Sequence, residues 1–112
     1  MDQVGTELLF ENDTVRVWSM ELAPGGTSPL HRHEIDYVIA YVTPSRISLV
    51  RDGVVVQTDE FKDGYVQYIR VAQPIVHQIM NTARTRHRQL IVELKVGEGL
   101  SPTSDNGRKV PA

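Results

Sequence analysis

Apolar residues in this chain recur at every second position, in short runs bounded by turn residues. No stretch carries the i, i+3, i+4, i+7 spacing of an amphipathic helix. Val15 and Val17 alternate with Arg16 and Trp18, and the pattern continues to Met20 and Leu22. Residues 37–42 form a near-continuous apolar run. Ile47 and Leu49 lead into Asp52-Gly53, the central pair of a two-residue hairpin, and Val54 to Val56 follow. Residues 65–71 alternate again, and Leu90, Val92, Leu94 and Val96 alternate with Glu93 and Lys95. Asn12-Asp13, Pro24-Gly25-Gly26, Pro44-Ser45, Asp63-Gly64 and Pro74 punctuate the runs. Short strands with regular turns predict an all-β sandwich or barrel. Closure of such a sheet removes exposed edges and brings side chains from different strands to one interior.

The length, 112 residues, suits one domain, and 40% hydrophobic residues suffice for a core. Residues 1–97 are expected to form that domain. Residues 98–112, rich in Gly, Ser, Pro, Asp and Asn, are expected to be a flexible tail. With 14 acidic and 12 basic residues the net charge is −2, and no basic stripe with interleaved aromatics occurs, so nucleic acid is not an expected partner. Membranes are not expected either, because no apolar run approaches the roughly 20 residues that span a bilayer. Residues 1–5 lack the charged and apolar regions of a signal peptide, so the expected location is cytoplasmic. There is no cysteine, which leaves nitrogen and oxygen as the donors for any metal.

The chemistry gathers around histidine. His31 and His33 stand one residue apart, after a Gly-rich turn, and on a strand such a pair points to one face. Two imidazoles so placed can grip an ion from one side, and His77, on a distant strand-like run, can close the grip. Metal ions favour neutral imidazole, and a set of three histidines, or two with a carboxylate, is the usual open site for zinc or non-haem iron. Spacing alone is a weak signal; the turn before the pair and the strand after it give it weight. His87 lies within Arg84-Thr85-Arg86-His87-Arg88 and reads as solvated, as does that whole cationic turn.

Gly25, His31 and His33, followed much later by His77 and Asn81, resemble the two paired motifs of the cupin superfamily. The resemblance extends over residues 8–96. It is closer still to small single-domain cupins with an HRHExDYVV-type signature, here His31-Arg32-His33-Glu34-Ile35-Asp36-Tyr37-Val38-Ile39. Some relatives of that type are assigned to β-alanine or polyamine degradation. The resemblance implies an all-β fold, the cupin double-stranded β-helix or jelly-roll barrel. It also implies a homodimer and an internal site for one divalent metal ion: iron, zinc, manganese or nickel.

Two departures from the family pattern bear on the ligands. Many cupins carry a Glu where this chain has Tyr37 or Val38. Asp36 stands one residue early, and strict alternation from His33 sends it outward while turning Tyr37 inward. A β-bulge would bring Asp36 in. The metal set is therefore His31, His33 and His77, with Asp36 as a fourth ligand, a partner orienting an imidazole, or a backbone cap. The stretch before His77 is also longer than the family's Pro-x-Gly-type turn and supplies Pro74 instead.

Tyr37, Tyr68, Arg70 and Gln78 are candidate substrate contacts, with Tyr41 at the barrel mouth and Arg70 able to fork onto a carboxylate. Trp18 and Phe10 suit the core or a dimer interface, and Asn81 a turn beside His77. Two functions fit. One is a metalloenzyme, dioxygenase- or isomerase-like, acting on a small organic molecule such as a carboxylate. The other is a non-catalytic small-molecule binding or sensor cupin. The missing Glu favours the second and the histidine triad the first.

Overall fold

The structure, a computed structural model, describes residues 3–95; the expected tail at 98–112 lies outside the described residues. Within them the chain forms β1 (Glu7–Glu11), β2 (Val15–Leu22), β3 (His31–His33), β4 (Tyr37–Tyr41), β5 (Ser45–Arg51), β6 (Val54–Phe61), β7 (Val66–Ile69), β8 (Ile75–Asn81) and β9 (His87–Leu94). The strands make two antiparallel sheets, ordered β1-β2-β9-β4-β7 and β3-β8-β5-β6. No helix of the described residues is long and apolar enough to cross a membrane.

Local chemistry sets the turns. Asp52 and Gly53 both take positive φ, 52° and 76°, which the tight β5–β6 hairpin requires. The Asn12 side chain accepts bonds from the amides of Thr14 and Val15, each at 2.9 Å, and so closes the β1–β2 turn. Trp18, Met20 and Leu22 of β2 pack with Tyr37, Ile47, Ile79 and Ile91 in one core between the sheets. Val4 joins that core, and the chain beside it presses so closely on β2 that only a glycine fits at position 5.

The inward face of β9 is more polar than its alternation suggests. His87, Gln89, Ile91 and Glu93 are buried, while Leu90, Val92 and Leu94 lie half-buried on the outer face. Each inward polar group has a partner, which makes its burial tolerable. Glu93 accepts the Trp18 indole N–H at 2.7 Å and the Arg16 Nε–H at 2.6 Å. His87 lies between Ser45 Oγ and Gln89 Oε1, each 2.7 Å away. The expectation that His87 is solvated is therefore corrected: it is 1% exposed. Its cationic neighbours alternate outward and meet Glu21 instead. Trp18 is in the core, whereas Phe10 is exposed on the edge strand β1.

Candidate metal centre

The Gly-rich turn sets where the histidine pair falls. Gly25, with φ of 79°, donates its amide to Asn81 O at 2.8 Å, and Asn81 N returns a bond to Gly26 O at 2.9 Å. Ser28 continues the stitching: its amide donates to Ile79 O, and its hydroxyl accepts from Ile79 N. Segment 25–28 is thus pinned to β8, and β3 enters in a register that sets His31 opposite His77 and His33 opposite Ile75. Asn81 secures the far end of β8, donating to Leu22 O and Thr85 O and accepting from Ala83 N. This is the turn role expected of it.

The three imidazoles meet. Their ring centroids are 4.6–4.9 Å apart, and all three rings are buried. His31 Nδ1 lies 2.9 Å from Pro29 O, an acceptor only, so Nδ1 carries the proton and Nε2 is left as a lone-pair donor. His33 Nε2 and His77 Nε2 are 3.1 Å apart and can share only one proton. Tyr37 stacks on His33 at 4.0 Å and 13°, which fixes that ring. Burial pushes His33 down to about 3, helped by His31 and His77. Burial also pushes His77 down to about 4, with His31 and Arg51 adding, and it lowers His31. The rings are therefore neutral, the form that binds metal.

Two observations test the fit to an ion. One potential donor nitrogen from each ring lies within 4.8 Å of the others, and among the described residues only these three form such a group. The 3.1 Å between His33 and His77 is also close to the spacing of two nitrogens that each sit ~2.1 Å from one shared ion. The donor set fits a borderline divalent cation.

The other candidates lie elsewhere. Asp36 accepts the Tyr68 hydroxyl at 2.6 Å and the Val71 amide at 2.8 Å, ties that make it a cap for the β7–β8 connection. Burial pushes its carboxyl up, but those two bonds and nearby Arg70 leave it below its usual value. Tyr68 is committed to Asp36, Arg70 is exposed beside that pair, and Gln78 donates to Ser28 O at 3.0 Å, bracing the turn. Of the four candidate substrate contacts, Tyr37 alone lines the cavity next to the imidazoles; Tyr41 lines it too.

That cavity holds about 310 Å³. Met20, Ile39, Ile79 and Ile91 form apolar walls, while Arg51, Gln57, Asp59, Gln67 and Gln89 supply polar groups. These polar residues were missed from sequence. The available signal was parity: Arg51 shares the face of Ile47 and Leu49, and Asp59 and Gln57 stand opposite those two residues on β6.

No protein-family model and no curated protein matches the chain. Solved structures do. A cupin domain from Bordetella pertussis Tohama I matches over 85% of this chain and 98% of its own, with 25% identity and a TM-score of 0.70. An RmlC-like cupin family protein from Methanocaldococcus jannaschii matches over 79% of this chain and 76% of its own, with 16% identity and a TM-score of 0.59. The polyketide cyclase RemF from Streptomyces resistomycificus matches over 75% of this chain and 56% of its own, with 25% identity and a TM-score of 0.54. Two antiparallel sheets closed over a buried histidine cluster, and neighbours of this kind, give the chain its fold: the double-stranded β-helix seen in cupin and RmlC-like proteins.

Proposed function

We propose that this cupin holds one divalent ion, iron, zinc, manganese or nickel, on His31, His33 and His77, and acts as a metalloenzyme of dioxygenase or isomerase type on a small organic substrate. One observation carries the reading: three buried, neutral imidazoles converge beside a cavity of about 310 Å³. When bound, such an ion supplies Lewis acidity, or one-electron chemistry if it is iron or manganese. The protein's own groups do the rest. Pro29 O holds His31 in its donor tautomer. Tyr37 keeps its proton, burial having pushed it up to about 12, so it is a hydrogen-bond donor toward the cavity and not a base. The aliphatic walls exclude water around the substrate. RemF is a cyclase, so a barrel of this shape serves an enzyme in at least that case.

Asp36 favours a second reading, a non-catalytic ligand-binding or sensor cupin, because its carboxylate is tied to Tyr68 and Val71 and is no general base in the cavity. Metal analysis and oxygen uptake separate the two. Stoichiometric iron or manganese with oxygen consumption on small acids supports the enzyme; stoichiometric zinc without turnover supports binding. Metal content unchanged in both His31→Ala and His77→Ala rejects the metal-site version of each. The cytoplasm and a homodimer complete the proposal. For the dimer the support is the half-buried apolar face made by Val17, Val38 and Val92, which align across β2, β9 and β4.

A further inference from the structure

One charge in the cavity is not used by the imidazole cluster. Arg51 ends β5 and lines the cavity together with His77. The β5–β8 register pairs Ile47 with Asn81, Leu49 with Ile79 and Val50 with Gln78. One further step of that register brings Arg51 level with His77, and His77 is paired in turn with His31. His31, His77 and Arg51 therefore form a row across adjacent strands on the inward face, where neighbouring Cβ atoms are about 5 Å apart. The irregularity in the β5–β6 ladder, between Leu49 and Val50, skips Val56 on β6. It leaves β5 in strict alternation, so Arg51 keeps the inward side of Ile47 and Leu49.

The guanidinium is available. Among the described residues no carboxylate forms an ion pair with it. Asp59, the acid that lines the same cavity, stands opposite Ile47, toward the other end of β5, and is bound by Gln57. Arg51 is near enough to the cluster that its charge helps to keep His77 neutral. Arg51 is itself exposed, as surface arginines ordinarily are, but it also lines the wall of an otherwise largely apolar cavity, beside a group of neutral nitrogen donors. That combination fits a ligand with an anionic group at one end and a neutral or weakly acidic oxygen donor next to it. A planar guanidinium matches the two oxygens of a carboxylate, which a lysine would meet only as a point charge.

We infer that Arg51 anchors the carboxylate of the ligand, and that the site takes short hydroxy or oxo acids whose second oxygen faces the His31, His33 and His77 side. This rests on the proposed metal-binding reading for the second oxygen, but not for the anchor itself. The remaining lining sets the size: aliphatic walls and about 310 Å³ suit a short acid.

Titration calorimetry with 2-hydroxybutanoate and its uncharged amide, 2-hydroxybutanamide, tests this on zinc-loaded and on EDTA-stripped full-length protein. The wild type is expected to prefer the acid in both forms. Arg51→Gln is expected to weaken the acid roughly 10- to 100-fold, the usual worth of a hydrogen-bonded charged pair. It should leave the amide within about threefold and unfolding unchanged; Arg51→Lys should fall between. Equal binding of acid and amide by the wild type, no binding of the acid at all, or full acid affinity in Arg51→Gln overturns the inference. If zinc does not bind but the stripped protein still loses its acid preference in Arg51→Gln, the anchor stands and the metal reading falls.

Discussion

Acidifying the metal-free protein from pH 7 to pH 5 should remove about 4 kcal/mol of folding stability through two side chains. A free histidine titrates near 6.5. Folding holds His33 at about 3 and His77 at about 4, chiefly by burial. Because the folded values lie below the unfolded one, the unfolded chain binds the extra protons. Stability is then complete above about pH 7, begins to fall through 6.5, and keeps falling until pH reaches the folded values. At pH 5 each unfolded histidine gains about 2 kcal/mol from protonation that the folded ring forgoes, against a few tenths at pH 7. Two such rings give about 4 kcal/mol, a large share of the 5–15 kcal/mol typical of a domain. Burial gives the structural reason, and the 3.1 Å contact between the two Nε2 atoms adds a bar to the second proton, since two imidazolium rings would there aim N–H at N–H. Urea unfolding of EDTA-treated protein at pH 7, 6 and 5 measures the loss. His33→Asn should reduce the pH dependence by about 2 kcal/mol, whatever its own effect on stability. Wild-type stability that changes by less than about 1 kcal/mol, or an undiminished dependence in His33→Asn, would show that water and protons reach the rings.

Two further outcomes are expected. A methyl group at position 5 would sit 2.6 Å from Trp18 Cβ and 2.7 Å from Ser19 O, so Gly5→Ala should cost about 1–3 kcal/mol and lower the Tm; an unchanged melting curve refutes that packing. Light scattering at micromolar concentration should give a dimer, and Val92→Asp, which puts a charge on the outer face of the central strand β9, should give a monomer; a monomeric wild type rejects the proposed pairing.

Much of the fold is legible because hydrophobic alternation and turn chemistry act locally. The β5–β6 hairpin follows from Asp52-Gly53, and β2 follows from Val15 to Leu22. Three features are not legible in that way. β1 is exposed along its whole length, so no buried stripe marks it, and β3 has only three residues. The inward side of β9 carries His87, Gln89 and Glu93 because Ser45, Trp18 and Arg16, distant in sequence, satisfy them. Hydropathy cannot register a partner that arrives by folding.

The site divides in the same way. His31 and His33 follow from strand parity, and Tyr37 follows from the same alternation and stacks on His33. That His77 falls opposite His31 depends on the pinning of Gly25, Gly26 and Ser28 to β8, a long-range register. Asp36 was ambiguous because its neighbours allow either side; its bonds to Tyr68 and Val71 decide the matter, and neither is adjacent in sequence. Arg51, Gln57 and Asp59 lie on the two strands of the Asp52-Gly53 hairpin, and only the cavity beneath them gives them a place in the site.

The central claim is that His31, His33 and His77 share one ion. Anomalous diffraction at the absorption edge of whatever metal copurifies tests it most directly. The account predicts a single peak about 2.1 Å from one nitrogen of each of the three rings. A stoichiometric metal found elsewhere, or any of these rings turned toward bulk water, contradicts it.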